Sequence, residues 1–117
     1  MPIFLCILAA SAMGFSESGR LSALNQYNVK KNKSILLRTN RCNGCYLAYA
    51  KLSGMDLSYA DLSGANLVGA TLIKATLVGA DLSGAKIAGA NFTGAQWTDG
   101  SICQTGSIGR CIRFQQQ

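Results

Sequence analysis

An all-β solenoid is the fold class this sequence predicts, and three regularities lead to it. From Cys45 to Gln104 the chain divides without a gap into twelve five-residue units. The third position of every unit is large and apolar: Leu47, Leu52, Leu57, Leu62, Leu67, Leu72, Leu77, Leu82, Ile87, Phe92, Trp97 and Ile102. The first position is Ala in nine units, with Cys45, Met55 and Gly100 as the exceptions, and the second is polar almost throughout.

A period of five suits neither ordinary element. Along an α-helix five residues advance about 500°, so successive leucines step around the cylinder and no apolar face forms. Along one continuous strand an odd spacing sends them to alternate faces. A short extended segment does fit, if positions one and three point inward and a turn then restores that direction for the next unit. Repeated turns close a coil, with backbone hydrogen bonds between coils stacked about 4.8 Å apart. Small first and large third residues fill the interior, second positions face water, and Gly at the fifth position in seven units suits the corners. The third-position residues are therefore the expected structural core, and the body is quasi-one-dimensional.

Residues Ala60 to Ala70 read Ala-Asp-Leu-Ser-Gly-Ala-Asn-Leu-Val-Gly-Ala, which resembles the signature of the pentapeptide-repeat family. The resemblance implies a right-handed quadrilateral β-helix with four units per coil, hence about three coils over residues 41–104. Residues twenty apart would then stack inward, as in Leu47, Leu67, Ile87 and in Leu62, Leu82, Ile102. Two weaker units, Ile35 to Thr39 and Asn40 to Gly44, would extend the body toward the N-terminus. The stretch Val29 to Cys45, with Leu36 and Leu37 before the Cys42-Asn-Gly-Cys45 run, is similar to the lead-in of small exported cyanobacterial members.

A stack of coils leaves an open core and bare backbone edges at both ends, so caps are expected. Residues 15–40 form the N-terminal flank, in which Ser22 to Arg38 carries Leu24, Tyr27, Val29, Ile35, Leu36 and Leu37 and supplies a helical cap. Residues 105–117 form the other cap and tail, closing the end with Trp97, Ile102 and Phe114. Residues 1–14 read as a secretory signal or an N-terminal apolar segment, an apolar run followed by small residues with no Lys or Arg before it. Cleavage around Ala12 to Ser16 would remove Cys6 and leave four cysteines. That parity fits export to an oxidising periplasm or thylakoid lumen, against a cytoplasmic alternative.

A disulfide needs Cα atoms within about 7 Å, and three coils would separate Cys42 and Cys45 from Cys103 and Cys111 by roughly 14 Å. Only local pairing survives. Cys103 at an outward fourth position is expected to bond Cys111 and clamp the C-terminal cap. Cys42 and Cys45 both point inward in this register, as a disulfide or as two packed thiols.

The formal net charge of +6 is unevenly placed: residues 1–44 carry +5, residues 45–104 carry −1 and the tail carries +2. The basic flank admits a membrane surface as partner, while the near-neutral body argues against nucleic acid. With no His in the chain the commonest general base is missing, and Asp56, Asp61 and Asp81 are explained as solvent-facing second positions. Four cysteines at opposite ends make no zinc site, and the recurrent glycines match no nucleotide-binding loop. No catalytic residue, metal ligand, cofactor or small-molecule substrate is expected. Val68, Ile73 and Val78 are apolar at successive fourth positions but face different directions, which reads as scatter. The leading expectation is a non-enzymatic scaffold that binds an unidentified protein partner outside the cytoplasm. The alternative is a nucleic-acid-mimicking regulator of a DNA-binding protein such as gyrase, which would need a longer and strongly acidic body.

Overall fold

A computed structural model describes residues 17–113. One helix, α1 (Glu17–Thr39), precedes the repeats. It stops at Asn40, whose φ of 59° is left-handed and whose N–H reaches the Leu36 carbonyl at 2.8 Å. The Asn40 side-chain amide also donates to the Ser58 carbonyl at 2.9 Å, tying the helix end to the far corner of the first coil.

Parallel bridges then link second-position residues twenty apart: Arg41 to Asp61 to Asp81, Tyr46 to Asn66 to Lys86, Lys51 to Thr71 to Asn91, and Asp56 to Thr76 to Gln96. Twenty residues per coil means four units per coil, and the three coils run from Asn40 to Asp99. The N–H groups of third and fifth positions donate to the coil below, as Leu52 does to Thr71 at 2.8 Å and Gly54 to Ile73 at 2.9 Å. In the second and third coils each second-position N–H bonds back to the coil above, as Thr71 does to Ala50 at 2.9 Å. The pairing is a chain of single bridges at the middle of each short side, because every side is interrupted by a corner.

The corner explains the fifth position. Each first-position N–H closes back on the preceding third-position carbonyl, as Ala60 does on Leu57 at 3.1 Å, and from Gly44 to Gly94 the fifth-position residue of the turn has positive φ. Those are the marks of a type II turn, in which only Gly sits without strain. Tyr49, Tyr59 and Lys74 nevertheless occupy it, at φ of 62°, 60° and 59°. Asp or Asn at the second position supplies the other half of the turn. Its Oδ1 accepts the N–H two residues on, at 3.0 Å for Asp56 and Ser58 and 3.0 Å for Asn66 and Val68.

Leu47, Leu52, Leu57, Leu62, Leu67, Leu72, Leu77 and Phe92 are fully buried, with the first-position alanines between them. Cys42, Leu62 and Leu82 form one inward ladder, and Leu57, Leu77 and Trp97 another. Leu82, Ile87 and Trp97 in the last coil are only partly buried. Phe92 meets Trp97 edge-to-face, ring centroids 5.0 Å apart, which helps fill the wide floor of the solenoid.

Four sequence expectations change. Cys103, expected at an outward fourth position, is 1% exposed and packs into the core cluster, because the chain has left the coil before it and returns along the floor. Ile102 is not core: it is 52% exposed and lies in an antiparallel bridge with Gln96. The chain leaves the coil at Gly100, whose φ of 89° and bond to the Trp97 carbonyl reverse it before a fourth coil can begin. Ile35 to Thr39 is the last part of α1 and not a repeat unit, since Leu36 caps the first coil only from a helical backbone. The cap itself is narrower than its composition suggests. Leu36 is buried and Val29 packs against the core, whereas Leu24, Tyr27 and Leu37 are exposed. The segment 1–14 and Phe114 lie outside the described residues.

The reversed C-terminal segment runs back along the floor of coil three. Phe92 N–H donates to the Ser107 carbonyl and Gly94 N–H to the Cys103 carbonyl, both at 2.8 Å, while Gly109 N–H reaches Ala90 at 2.7 Å. Ser107 is buried and doubly used: its hydroxyl donates to the Gln104 carbonyl and accepts from Ile112 N–H.

The corners make a sharp prediction. A Cβ on Gly79 would fall 2.4 Å from the Tyr59 ring at a φ of 72°, whereas one on Gly44, at a φ of 69°, would meet nothing within 4 Å. Gly44→Ala should lose about 1 kcal/mol, the strain of a left-handed alanine. Gly79→Ala should lose roughly twice that, because the ring must also lift off the corner. Chemical denaturation of the two variants checks the difference.

Candidate interaction surfaces

The outward side chains form four short rows, one per side of the solenoid, and their composition is mixed. One side stacks Arg41, Asp61 and Asp81; the next Tyr46, Asn66 and Lys86; the third Lys51, Thr71 and Asn91; the fourth Asp56, Thr76 and Gln96. No side is dominated by one charge. The aspartates are moreover occupied by their own turns. The Oδ1 atoms of Asp56 and Asp61 each accept a Ser hydroxyl at 2.6 Å as well as a backbone N–H. Asp99 accepts the Ser101 hydroxyl and pairs with Arg113.

These bonds hold Asp56, Asp81 and Asp99 below the ordinary carboxylate range, first through the hydroxyls of Ser58, Ser83 and Ser101 and then through the same residues' N–H groups. A depressed folded-state value means the stabilisation is whole at neutral pH and is lost as pH falls through the aspartate range, below about 4. The thermal midpoint should therefore be flat from neutral pH downward and drop only there. Changing all three to Asn keeps the Oδ1 acceptor and removes the proton, so that variant should show a shallower acid fall.

Apolar fourth positions on the middle coil, Val68, Ile73 and Val78, are each half-buried on a different side, so they form no contiguous patch. Tyr49 and Tyr59 are the prominent exposed aromatics, 73% and 75% exposed. Their rings lie over Gly69 and Gly79 of the next coil, which holds them flat against the corners. Nothing in the five-residue spacing signals this contact; the signal available is a Tyr where the pattern asks for Gly, with Gly twenty residues later.

A cleft of about 790 Å³ opens between α1 and the leading edge of the first coil. Val29, Lys30 and Lys33 line it from the helix, and Tyr46, Tyr49 and Lys51 from the coil. At its closed end the Asn32 side-chain amide donates to the Tyr46 carbonyl at 3.0 Å.

Both cysteine pairs come together at disulfide geometry, Cys42 with Cys45 at a Cα separation of 5.2 Å and Cys103 with Cys111 at 4.9 Å. The first lies under α1 at the top of the solenoid and the second joins the two arms of the C-terminal segment. Among the described residues, no group of three or more His, Cys, Asp or Glu side chains is placed to hold a metal ion. No described helix is long and apolar enough to cross a membrane.

The model of the family described as pentapeptide repeats matches residues 41–72 and 65–96, in eight copies. The repeat domain belongs to the pentapeptide-repeat family. Its fold is a right-handed β-helix solenoid, and pentapeptide-repeat proteins are generally non-enzymatic and often mediate protein interactions. Among solved structures the chain is similar to HetL, a pentapeptide-repeat protein involved in heterocyst differentiation regulation from the cyanobacterium Nostoc sp. strain PCC 7120. The two are 36% identical over 53% of this chain and 36% of the HetL chain, with a TM-score of 0.25. The match thus spans little more than a third of HetL. No curated protein matches the chain.

Proposed function

We propose that this pentapeptide-repeat protein is a non-enzymatic binding scaffold of an extracytoplasmic, oxidising compartment. The observation that carries the scaffold reading is the use of its acidic side chains: Asp56, Asp61, Asp81 and Asp99 are committed to hydrogen bonds within their own turns. Groups held in that way stiffen a surface and present it, but are poorly placed to move protons for a substrate. The near-neutral, mixed rows of the three coils give a mimic of nucleic acid nothing to build on, so the gyrase-directed alternative has no observation in its favour. The two close cysteine pairs support an oxidising location, where such pairs persist.

The experiment is the intact mass of the protein isolated from its native cell, under non-reducing conditions, with and without thiol alkylation. A product beginning near residue 15 with no alkylated cysteine is expected. Full-length protein with four or more reactive thiols would overturn the compartment, and turnover of any small molecule by the purified chain would overturn the scaffold.

A further inference from the structure

We propose that the cleft between α1 and the first coil is the docking site for a short, extended, acidic peptide segment of a partner protein, which adds to the solenoid's leading edge as a strand. This rests on the binding-scaffold reading and names the partner chemistry.

Three features of the cleft point the same way. The first is backbone. In the lower coils each second-position residue turns both its N–H and its carbonyl toward the coil above, as Thr71 does to Ala50 and Leu52. In the first coil the corresponding groups have no coil above them. The N–H of Tyr46, the carbonyl of Ala48, and the N–H and carbonyl of Lys51 carry no partner among the described residues, and all three residues line the cleft. Such an edge is a template for another strand.

The second feature is the helix. A segment built only to seal a core turns apolar side chains toward it, and α1 does so at Val29 and Leu36. Nearer its N-terminus the cleft-lining side chains are mostly polar, Ser22, Asn25 and Gln26 beside Leu21. Where α1 does touch the edge, Asn32 serves as an amide donor to the Tyr46 carbonyl. Asn25 and Gln26 offer the same chemistry to the free side of an inserted peptide.

The third is charge. Lys30, Lys33 and Lys51 line the cleft, with no Asp or Glu among the described side chains that do. Three cations around unpaired backbone select a peptide bearing carboxylates, and the Tyr49 ring at the corner supplies an apolar shelf for a side chain between them.

The test uses the whole chain with a fluorescein-labelled octapeptide of alternating Glu and Val, the matching Lys and Val octapeptide, and phosphatidylglycerol vesicles, all at low salt. The acidic octapeptide should bind and the basic one should not. The triple variant Lys30→Ala, Lys33→Ala, Lys51→Ala should weaken binding about tenfold, the sum expected of three exposed ion pairs. The pair Arg110→Ala, Arg113→Ala at the far end should leave binding unchanged. Absence of acidic-peptide binding, binding indifferent to the triple variant, or vesicle binding that the octapeptide does not displace would each overturn the proposal.

A second arm separates this proposal from the broader one. With p-benzoylphenylalanine replacing Tyr49 or Tyr59, native extract is irradiated. Adducts through Tyr49 that the acidic octapeptide suppresses are expected. Adducts only through Tyr59, which lies outside the cleft, would sink the cleft site while leaving a binding scaffold. Adducts through neither would remove both.

Discussion

Leu72→Asp should leave no cooperative thermal transition. Leu72 is fully buried, between Leu52 above and Phe92 below in the same inward ladder. Removing the leucine forfeits about 1.5–3 kcal/mol of apolar burial. The aspartate then faces leucine and alanine with no cation or donor nearby, so it must be buried unpaired or kept protonated, at several kcal/mol more. Against a typical domain stability of about 5–15 kcal/mol, that sum is enough to unfold a body this small. Because each coil is covered only by its neighbours, damage in the middle coil separates the outer two. Thr71→Asp, one residue away on the outward side, should change stability by less than about 0.5 kcal/mol. Circular dichroism melts of the pair check the register directly: a retained transition in Leu72→Asp would mean that the third position does not point inward.

The next largest effect is expected from the paired change Cys103→Ala, Cys111→Ala in the oxidised protein. The bridge closes a loop of sequence separation 8, for which loop-closure entropy predicts about 2.5 kcal/mol of stabilisation. Its loss is local in consequence as well as global in magnitude. Residues 101–109 occupy the floor under Phe92 and Trp97, and among the described residues this bridge, the Gln104 N–H to Ile112 carbonyl bond and the bonds of Ser107 hold the two arms of that segment together. Without it the segment should fray first, uncovering the partners of Phe92, Gly94 and Trp97. Hydrogen exchange should show those three amides losing protection before the amides of the middle coil. The Cys42–Cys45 bridge closes a shorter loop of separation 3 and lies under α1, so its removal should matter less.

The interior and the turns were legible in the sequence because they depend on contacts that repeat. A large residue every fifth position and a small one two places earlier admit one solution, and the same local geometry recurs at every side whatever the neighbours are. The eleven third-position residues from Leu47 to Trp97 face inward for that reason. The twelfth, Ile102, matches the pattern equally well and is exposed. Periodicity records what a unit could do, while stacking requires the chain to arrive in the right place, and the turn at Gly100 sends it the other way. The same limit applies at the first coil. Asn40 to Gly44 looked like a degenerate unit and is a full side of the solenoid, while Ile35 to Thr39, no less degenerate, is helical.

What the sequence by itself determined is therefore the coil: its inward residues, its polar exterior, its corners, and the local pairing of its cysteines. The tertiary structure alone decided the ends and the surfaces. It laid Tyr49 and Tyr59 flat over glycines twenty residues away, reversed the last segment against its own coil, and set the polar part of α1 over an unpaired edge. Those arrangements join residues from different coils or elements and do not recur at every unit. No repeat carries them, and they exist only when the chain is folded.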